Sequence, residues 1–375
     1  MGDLLLVTGD SSADTYAANL ISYLSNQSFD GTIYAAAGHK SKEAGAELVE
    51  NVVDRAVVGI SEIAGSVPYF YNLMKDLDDL LVEQPINAIV LMDFPGFNLS
   101  FAWLSRAREL GIPLYYYITP QVWAWWRWRM KLLGDWFEER FVIFPFEKEL
   151  FEKRGISAQF VGHPMLEEWE DDPTYDVYET MDLPRDKKIV SFFPGSRNHE
   201  VQRHLEPMIG GARRLENTDS SYCPVISAAP TVDQQFIRET LEKLDFQASI
   251  WSGDSRSLLE ASELTVLASG TVTMEATFCT TPMIVGYRVS STTYWMGRTF
   301  IKTDHIAMPN LIDDRADVPE LIQSDFSSEN IYRTAHEMMK DRVKRKRQKE
   351  VLQSIRDTFG SRTPSQEVGD FLLNV

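Results

Sequence analysis

From Leu4 to Tyr287 the chain alternates short runs of β-branched and aromatic residues with longer segments of helical character. This is the pattern of parallel sheets whose strands are joined by crossover helices. In the first half, strands are expected at Leu4 to Thr8, Thr32 to Ala36, Ala88 to Met92, Leu114 to Ile118 and Phe141 to Phe144. In the second half they are expected at Ile189 to Phe193, Val225 to Ala228, Ser249 to Trp251, Leu264 to Leu267 and Met283 to Tyr287. The acidic stretch from Glu167 to Asp176, interrupted by Pro173, separates the halves as a linker or an irregular start. At 375 residues the chain is too long for one ordinary core. The fold expected is therefore α/β, with two doubly wound domains whose strand ends line a central cleft, where such sheets bind ligands.

A hydrophobic share of 44% and a charged share of 25% are those of an ordinary soluble globular protein. No run approaches the roughly 18 to 20 apolar residues that span a bilayer. The first ten residues contain Asp3 and a short apolar strand instead of a cationic flank and a signal-peptide core, so a cytoplasmic location is expected. Cys223 and Cys279 are far apart in apolar stretches, which fits buried thiols and gives no zinc or disulfide framework. A net charge of −18 argues against nucleic acid as a partner. The basic run from Lys340 to Lys349 is read first as a solvated helix face, with anionic lipid as the weaker reading.

Several loops carry chemistry. Phe193-Pro194-Gly195-Ser196-Arg197 follows a strand and precedes a helical segment; its glycine admits an anion to backbone N–H groups, and Arg197 can grip phosphate in a bidentate geometry. A second loop of the same design, Ser269-Gly270-Thr271, leads to Glu275 one helical turn on. Two such loops in one domain suit a diphosphate, and Glu275 is either a ribose ligand or a charge complementing the helix dipole. Gly9-Asp10-Ser11-Ser12-Ala13-Asp14 follows the first strand and reads equally as a helix cap. Asp93 ends a strand, where a carboxylate enters the ligand cleft as a general base; capping the next helix is the competing role. A lone histidine such as His163 is more often a structural hydrogen bonder than a catalyst, and no histidine shows metal-ligand spacing.

Trp123, Trp125, Trp126 and Trp128 crowd six residues, interleaved with Arg127 and Arg129. Indole rings at that density suit a ligand wall or a lipid boundary, although core packing is the plainer role for any one of them.

In order along the chain, the Gly9 to Asp14 turn, Asp93-Phe94-Pro95-Gly96-Phe97-Asn98, Thr119-Pro120-Gln121-Val122-Trp123-Ala124-Trp125, Phe144-Pro145-Phe146-Glu147 and Val161-Gly162-His163-Pro164 resemble lipid-A-disaccharide synthases. So do Pro194-Gly195-Ser196-Arg197, the Ser269 to Glu275 loop, and Lys302-Thr303-Asp304-His305 with Pro309-Asn310-Leu311, so the resemblance covers nearly the whole chain. It departs from the family at Asp10 and Ala13, where the family's turn has Glu and Gly, and at Trp126, where the family often has Arg.

The resemblance implies a GT-B glycosyltransferase with two Rossmann-like domains, residues 1–165 for the acceptor and membrane and 166–349 for the UDP-sugar, with the C-terminal helix at about 350–375 packing back on the first. It implies inverting transfer from UDP-2,3-diacylglucosamine to 2,3-diacylglucosamine 1-phosphate, giving UDP and a β-1,6 disaccharide, without a metal or other cofactor. Asp93 and Arg197 are its catalytic candidates; Gly195, Ser196, Arg197, Ser269, Gly270, Thr271, Glu275 and Asn310 its UDP site; Gly9, Asp10, Ser12, Asp14, Gln121, Trp123, Trp125 and His163 its acceptor side. Contact with the cytoplasmic surface of the inner membrane falls to Ile63, Val67, Tyr69, Phe70, Leu73, Trp126 and Trp128, and a homodimer is left open. The rival readings are a UDP-sugar 2-epimerase, a GT-B transferase with a soluble acceptor, and a non-enzymatic nucleotide-sugar sensor.

Overall fold

The computed structural model describes residues 2–57, 63–123, 128–169, 175–289 and 305–375. The chain forms two compact units, one of residues 1–168 with 361–375 and the other of residues 169–360.

The first unit is built on β1 (Asp3–Val7), β2 (Ile33–Ala37), β3 (Glu47–Asn51), β4 (Ile86–Met92), β5 (Leu114–Tyr117), β6 (Glu139–Val142) and β7 (Gln159–Phe160). All pairings are parallel, in the order β3-β2-β1-β4-β5-β6-β7. The centres of β1, β2, β4 and β5 are apolar on both faces because both are covered, whereas β6 opens with the buried pair Glu139–Arg140. Leu5, Val7, Ile89, Leu91 and Tyr116 enter one core layer, while Leu4, Leu6, Val90, Met92 and Tyr117 enter the other. The order reverses between β1 and β4, so the loops after these two strands flank the switch point where doubly wound sheets bind ligands.

The second unit repeats the plan with β8 (Lys188–Phe193), β9 (Tyr222–Ser227), β10 (Ser249–Trp251), β11 (Ser262–Ala268), β12 (Met283–Tyr287) and β13 (Glu320–Ile322). Their order is β10-β9-β8-β11-β12-β13, again parallel, with the reversal between β8 and β11. The edge strands β3, β7 and β13 were not among the sequence expectations.

The chain leaves the second unit at Gly360, later than residue 350. Helix Arg342–Phe359 stays with the second unit: Gln348 Oε1 accepts from Met283 N at 2.8 Å and Phe359 meets Phe278 at 5.1 Å between ring centroids. Only helix Pro364–Leu373 packs on the first unit, burying Val368 and Leu372 beside Leu20 and Leu24. Its Phe371 meets the rings of Tyr115 and Phe141 edge-on.

Helix Ile63–Glu83 corrects part of the membrane expectation. Leu73, Leu77 and Leu81 recur at the i, i+4 spacing of one helix face and are buried in the core. Leu73 is 2% exposed, and Phe70 packs inward on Phe94 and Phe97, so neither presents a free apolar face. Tyr69 is half-buried and donates to Glu50 Oε1 at 3.4 Å. Apolar side chains of this helix that face outward are Val67 at 62%, Tyr71 at 69% and, near its other end, Val82 at 56% exposure. The Ile63 side chain lies outside the described residues, as do Trp125 and Trp126. Trp128 is exposed, with the Arg129 guanidinium 5.9 Å from its ring. Among the described residues, no helix is long and apolar enough to cross a membrane.

Candidate functional site

At the switch point of the first sheet, β4 ends in two successive left-handed residues, Asp93 at φ 47° and Phe94 at φ 44°. Neither is glycine, and each such conformation costs roughly 1–2 kcal/mol. Several contacts hold it. Tyr116 donates its hydroxyl to the Asp93 carbonyl at 2.6 Å, and Asn98 Nδ2 donates to the same oxygen at 2.8 Å and to Met92 O at 3.1 Å. The Phe94 ring stacks on Phe97 at 5.5 Å and lies over Gly9, where an added Cβ would fall 2.4 Å from Phe94 Cβ. Gly9 is therefore required by close approach, and the two switch-point loops interlock through it.

Burial pushes the Asp93 carboxyl up to about 6, and the negative charge of Asp10 adds to the shift. At neutral pH such a group is still largely ionised and is a stronger base than an ordinary carboxylate. Asp10 caps helix Ser11–Asn26 by accepting from Ala13 N at 2.8 Å while its side chain stays exposed, and Ser12 is exposed beside it.

Asp14 is corrected, and His163 has a helix-capping role. The Asp14 carboxylate is buried and accepts from Gly38 N, Lys40 N, Ser41 N and Ser41 Oγ, so it ties the β2 loop to the first helix instead of facing a ligand. His163 is buried and caps the short helix Pro164–Glu167, Nδ1 accepting from Met165 N at 3.3 Å; burial lowers its pKa to about 3 and keeps it neutral. Gln121 is exposed. Trp123 is half-buried and donates its indole N–H to Glu147 Oε1 at 3.1 Å, with the Phe146 ring edge-on at 5.4 Å. Glu147 also accepts from Phe144 N, and burial raises its pKa to about 8. Sequence reading missed this buried carboxyl, because a Glu in the first turn of a helix ordinarily faces water.

In the second unit, β8 and β11 are adjacent and paired through Phe193 and Leu267, so the two glycine loops emerge side by side. Gly195 has φ 126°, and an added Cβ would lie 2.7 Å from Glu200 Oε2. Glu200, in the first turn of helix Asn198–Thr218, accepts from Ser196 N at 3.2 Å and pairs with exposed Arg197 at 3.7 Å. The loop thus already holds one anion, its own carboxylate, by the N–H and guanidinium groups a phosphate would use. His204 is buried beneath it, bonding Pro194 O through Nδ1 at 2.9 Å and accepting from Arg288 N through Nε2 at 3.0 Å. It joins the loop to the end of β12, a link no spacing in the sequence announces.

Ser269 donates to Ile306 O at 3.2 Å, Gly270 and Thr271 are exposed, and Glu275 is half-buried within helix Thr271–Phe278. Asn310 supports the loop through its side chain. Both atoms of its buried amide are engaged: Nδ2 donates to Val318 O and Glu320 Oε1, and Oδ1 accepts from Val318 N. Glu320 also accepts from Ile306 N and Ala307 N, so it holds the same loop that Ser269 touches. Among the described residues there is no group of three or more His, Cys, Asp or Glu side chains arranged to hold a metal.

Residues 4–367 match the family described as lipid-A-disaccharide synthetase. A curated relative named lipid-A-disaccharide synthase, from Anaeromyxobacter sp. (strain K), is 31% identical over 373 residues, 99% of this chain and 97% of its own length. Among solved structures, the UDP-GlcNAc 2-epimerase of Neisseria meningitidis bound to UDP-GlcNAc superposes with a TM-score of 0.64 at 13% identity over 100% of both chains. The calicheamicin glycosyltransferase superposes with a TM-score of 0.62 at 13% identity, covering 99% of this chain and 97% of that one. Likeness at that identity establishes the GT-B architecture alone, so the epimerase neighbour lends no weight to epimerase chemistry.

Proposed function

The chain belongs to the lipid-A-disaccharide synthetase family, and we propose that its two switch points divide the family's reaction, the first activating the acceptor and the second holding the donor. The protein is a glycosyltransferase of lipid A biosynthesis, acting on a UDP-sugar and a sugar-phosphate lipid. In this reading the donor is UDP-2,3-diacylglucosamine and the acceptor is 2,3-diacylglucosamine 1-phosphate. Asp93 takes the proton from the acceptor 6-hydroxyl as its oxygen attacks the anomeric carbon. The bond to UDP breaks on the opposite face, which inverts the configuration. Arg197, the Ser196 amide and the Gly270–Thr271 loop stabilise the charge growing on the departing diphosphate, and Glu275 faces the ribose. Glu200 must release the Ser196 amide and Arg197 for this to happen. Ser269, Asn310 and Glu320 hold the shape of the donor loops, while Gly9, Asp10, Ser12, Gln121 and Trp123 border the acceptor.

The observation that carries this reading is the half-buried Asp93 carboxyl at the β1/β4 switch point, raised to about 6. Asp93→Asn is expected to abolish UDP release from the acylated substrates while calorimetric UDP affinity stays near wild type. Full activity in the variant, or equal loss of transfer and UDP binding, rejects Asp93 as the base.

A further inference from the structure

We propose that Asn98 and Tyr116 are positioning residues for Asp93: donating together to its main-chain carbonyl, they hold the left-handed Asp93–Phe94 pair and so fix where the carboxylate points. The inference rests on the reading of Asp93 as the base.

The backbone shows what the clamp prevents. Side chains alternate along β4, with Leu91 in one core layer and Met92 in the other. An extended Asp93 would continue that alternation and carry its carboxylate onto the apolar face that holds Leu91. The left-handed turn takes it off that face. Residues without glycine's freedom persist in such a conformation only where their surroundings over-determine it, and here two buried donors converge on one carbonyl. Asn98 comes from helix Pro95–Leu104, immediately after the turn. Tyr116 comes from the neighbouring strand β5, so the constraint is tertiary as well as local. Both side chains are fully buried. Pro95, at the first helical position, fixes the exit of the turn.

The test compares Tyr116→Phe, Asn98→Ala and Asp93→Asn for kcat, KM of the UDP-sugar and the pH dependence of kcat/KM. Tyr116→Phe is expected to lower kcat roughly tenfold and Asn98→Ala about a hundredfold, the scale of a lost hydrogen bond and of a misplaced catalytic group. The donor KM should hold, and the acid limb should move to lower pH as the loosened carboxylate regains water. A merely structural role would reduce the yield of folded protein and leave that limb in place. Wild-type kcat and acid limb in both clamp variants, with Asp93→Asn inactive, overturn the clamp and leave the base standing. An active Asp93→Asn overturns the base, and the clamp falls with it. Should Asn98→Ala fail to fold, Tyr116→Phe decides alone, since it removes one oxygen and keeps the ring packed on Phe137.

Discussion

Asp10 and Asp93 stand on the two loops of one switch point, and the charge of Asp10 is second to burial in raising Asp93. Asp10→Asn removes a repulsion that favours the protonated base, while asparagine still caps the helix. If Asp93 is the base proposed above, the acid limb of kcat/KM should therefore move to lower pH in this variant, as a rate profile against buffer pH would show; a limb that stays or rises rejects the coupling. Glu147 makes a prediction about stability. Its folded pKa of about 8 lies above its ordinary value of 4.5, so the folded state retains a proton that the unfolded chain has lost between those values. Its contribution is fully present below pH 4.5 and is lost as pH rises to about 8. Glu147→Gln should flatten the fall of Tm across that window, and an unchanged slope would show that another group is responsible. The place of Asp93 at the end of β4 was legible in the sequence because it directly follows an apolar run. Glu147, His204 and Glu320 were not, since their burial and partners come from segments distant in sequence.

Glycines separate the two anion loops at the level of elements. At Gly195 the backbone is left-handed and an added Cβ would press on Glu200, whereas Gly270 is extended with open space around its Cβ position. Gly195→Ala should cost about 1–2 kcal/mol in the loop conformation and weaken UDP binding by roughly tenfold. Gly270→Ala should leave Tm unchanged, so any loss of UDP affinity there reports a methyl in the ligand's own space. Calorimetry of UDP with each variant, paired with thermal melts, checks both; equal melting and equal affinity for the two would contradict the difference in backbone. The inner strands could be read from sequence where burial on both faces makes their centres apolar, but the Glu139–Arg140 start of β6 could not, being charged. Of the edge strands only β10 could be read; Glu47-Leu48-Val49-Glu50-Asn51 carries charge at the sheet border, and β7 and β13 are only 2 and 3 residues long. Ile63, Val67, Tyr69, Phe70 and Leu73 were read together as membrane contacts, but which face of helix Ile63–Glu83 is free depends on where the sheet sits beneath it.

For the whole molecule, the acidic balance of −18 opposes attraction to an anionic bilayer, and no described helix crosses one. If the protein takes its lipid substrates from a membrane surface, apolar side chains that the core leaves free must supply the attachment. In the first unit Val67, Tyr71 and Trp128 meet that condition, whereas Leu73, on the same helix as Val67 and Tyr71, does not. Seating a large apolar side chain in the interface is worth roughly 1.5–3 kcal/mol. Val67→Ser with Tyr71→Ser should thus lower co-flotation with phospholipid vesicles by at least about tenfold. Tm and transfer between detergent-dispersed substrates should hold, because neither side chain supports the core. Leu73→Ala should do the reverse, losing about 2–5 kcal/mol of stability through a cavity while the folded fraction floats as wild type. Undiminished flotation of the double variant would move the attachment elsewhere, and Trp128→Ser would then be the first alternative to measure.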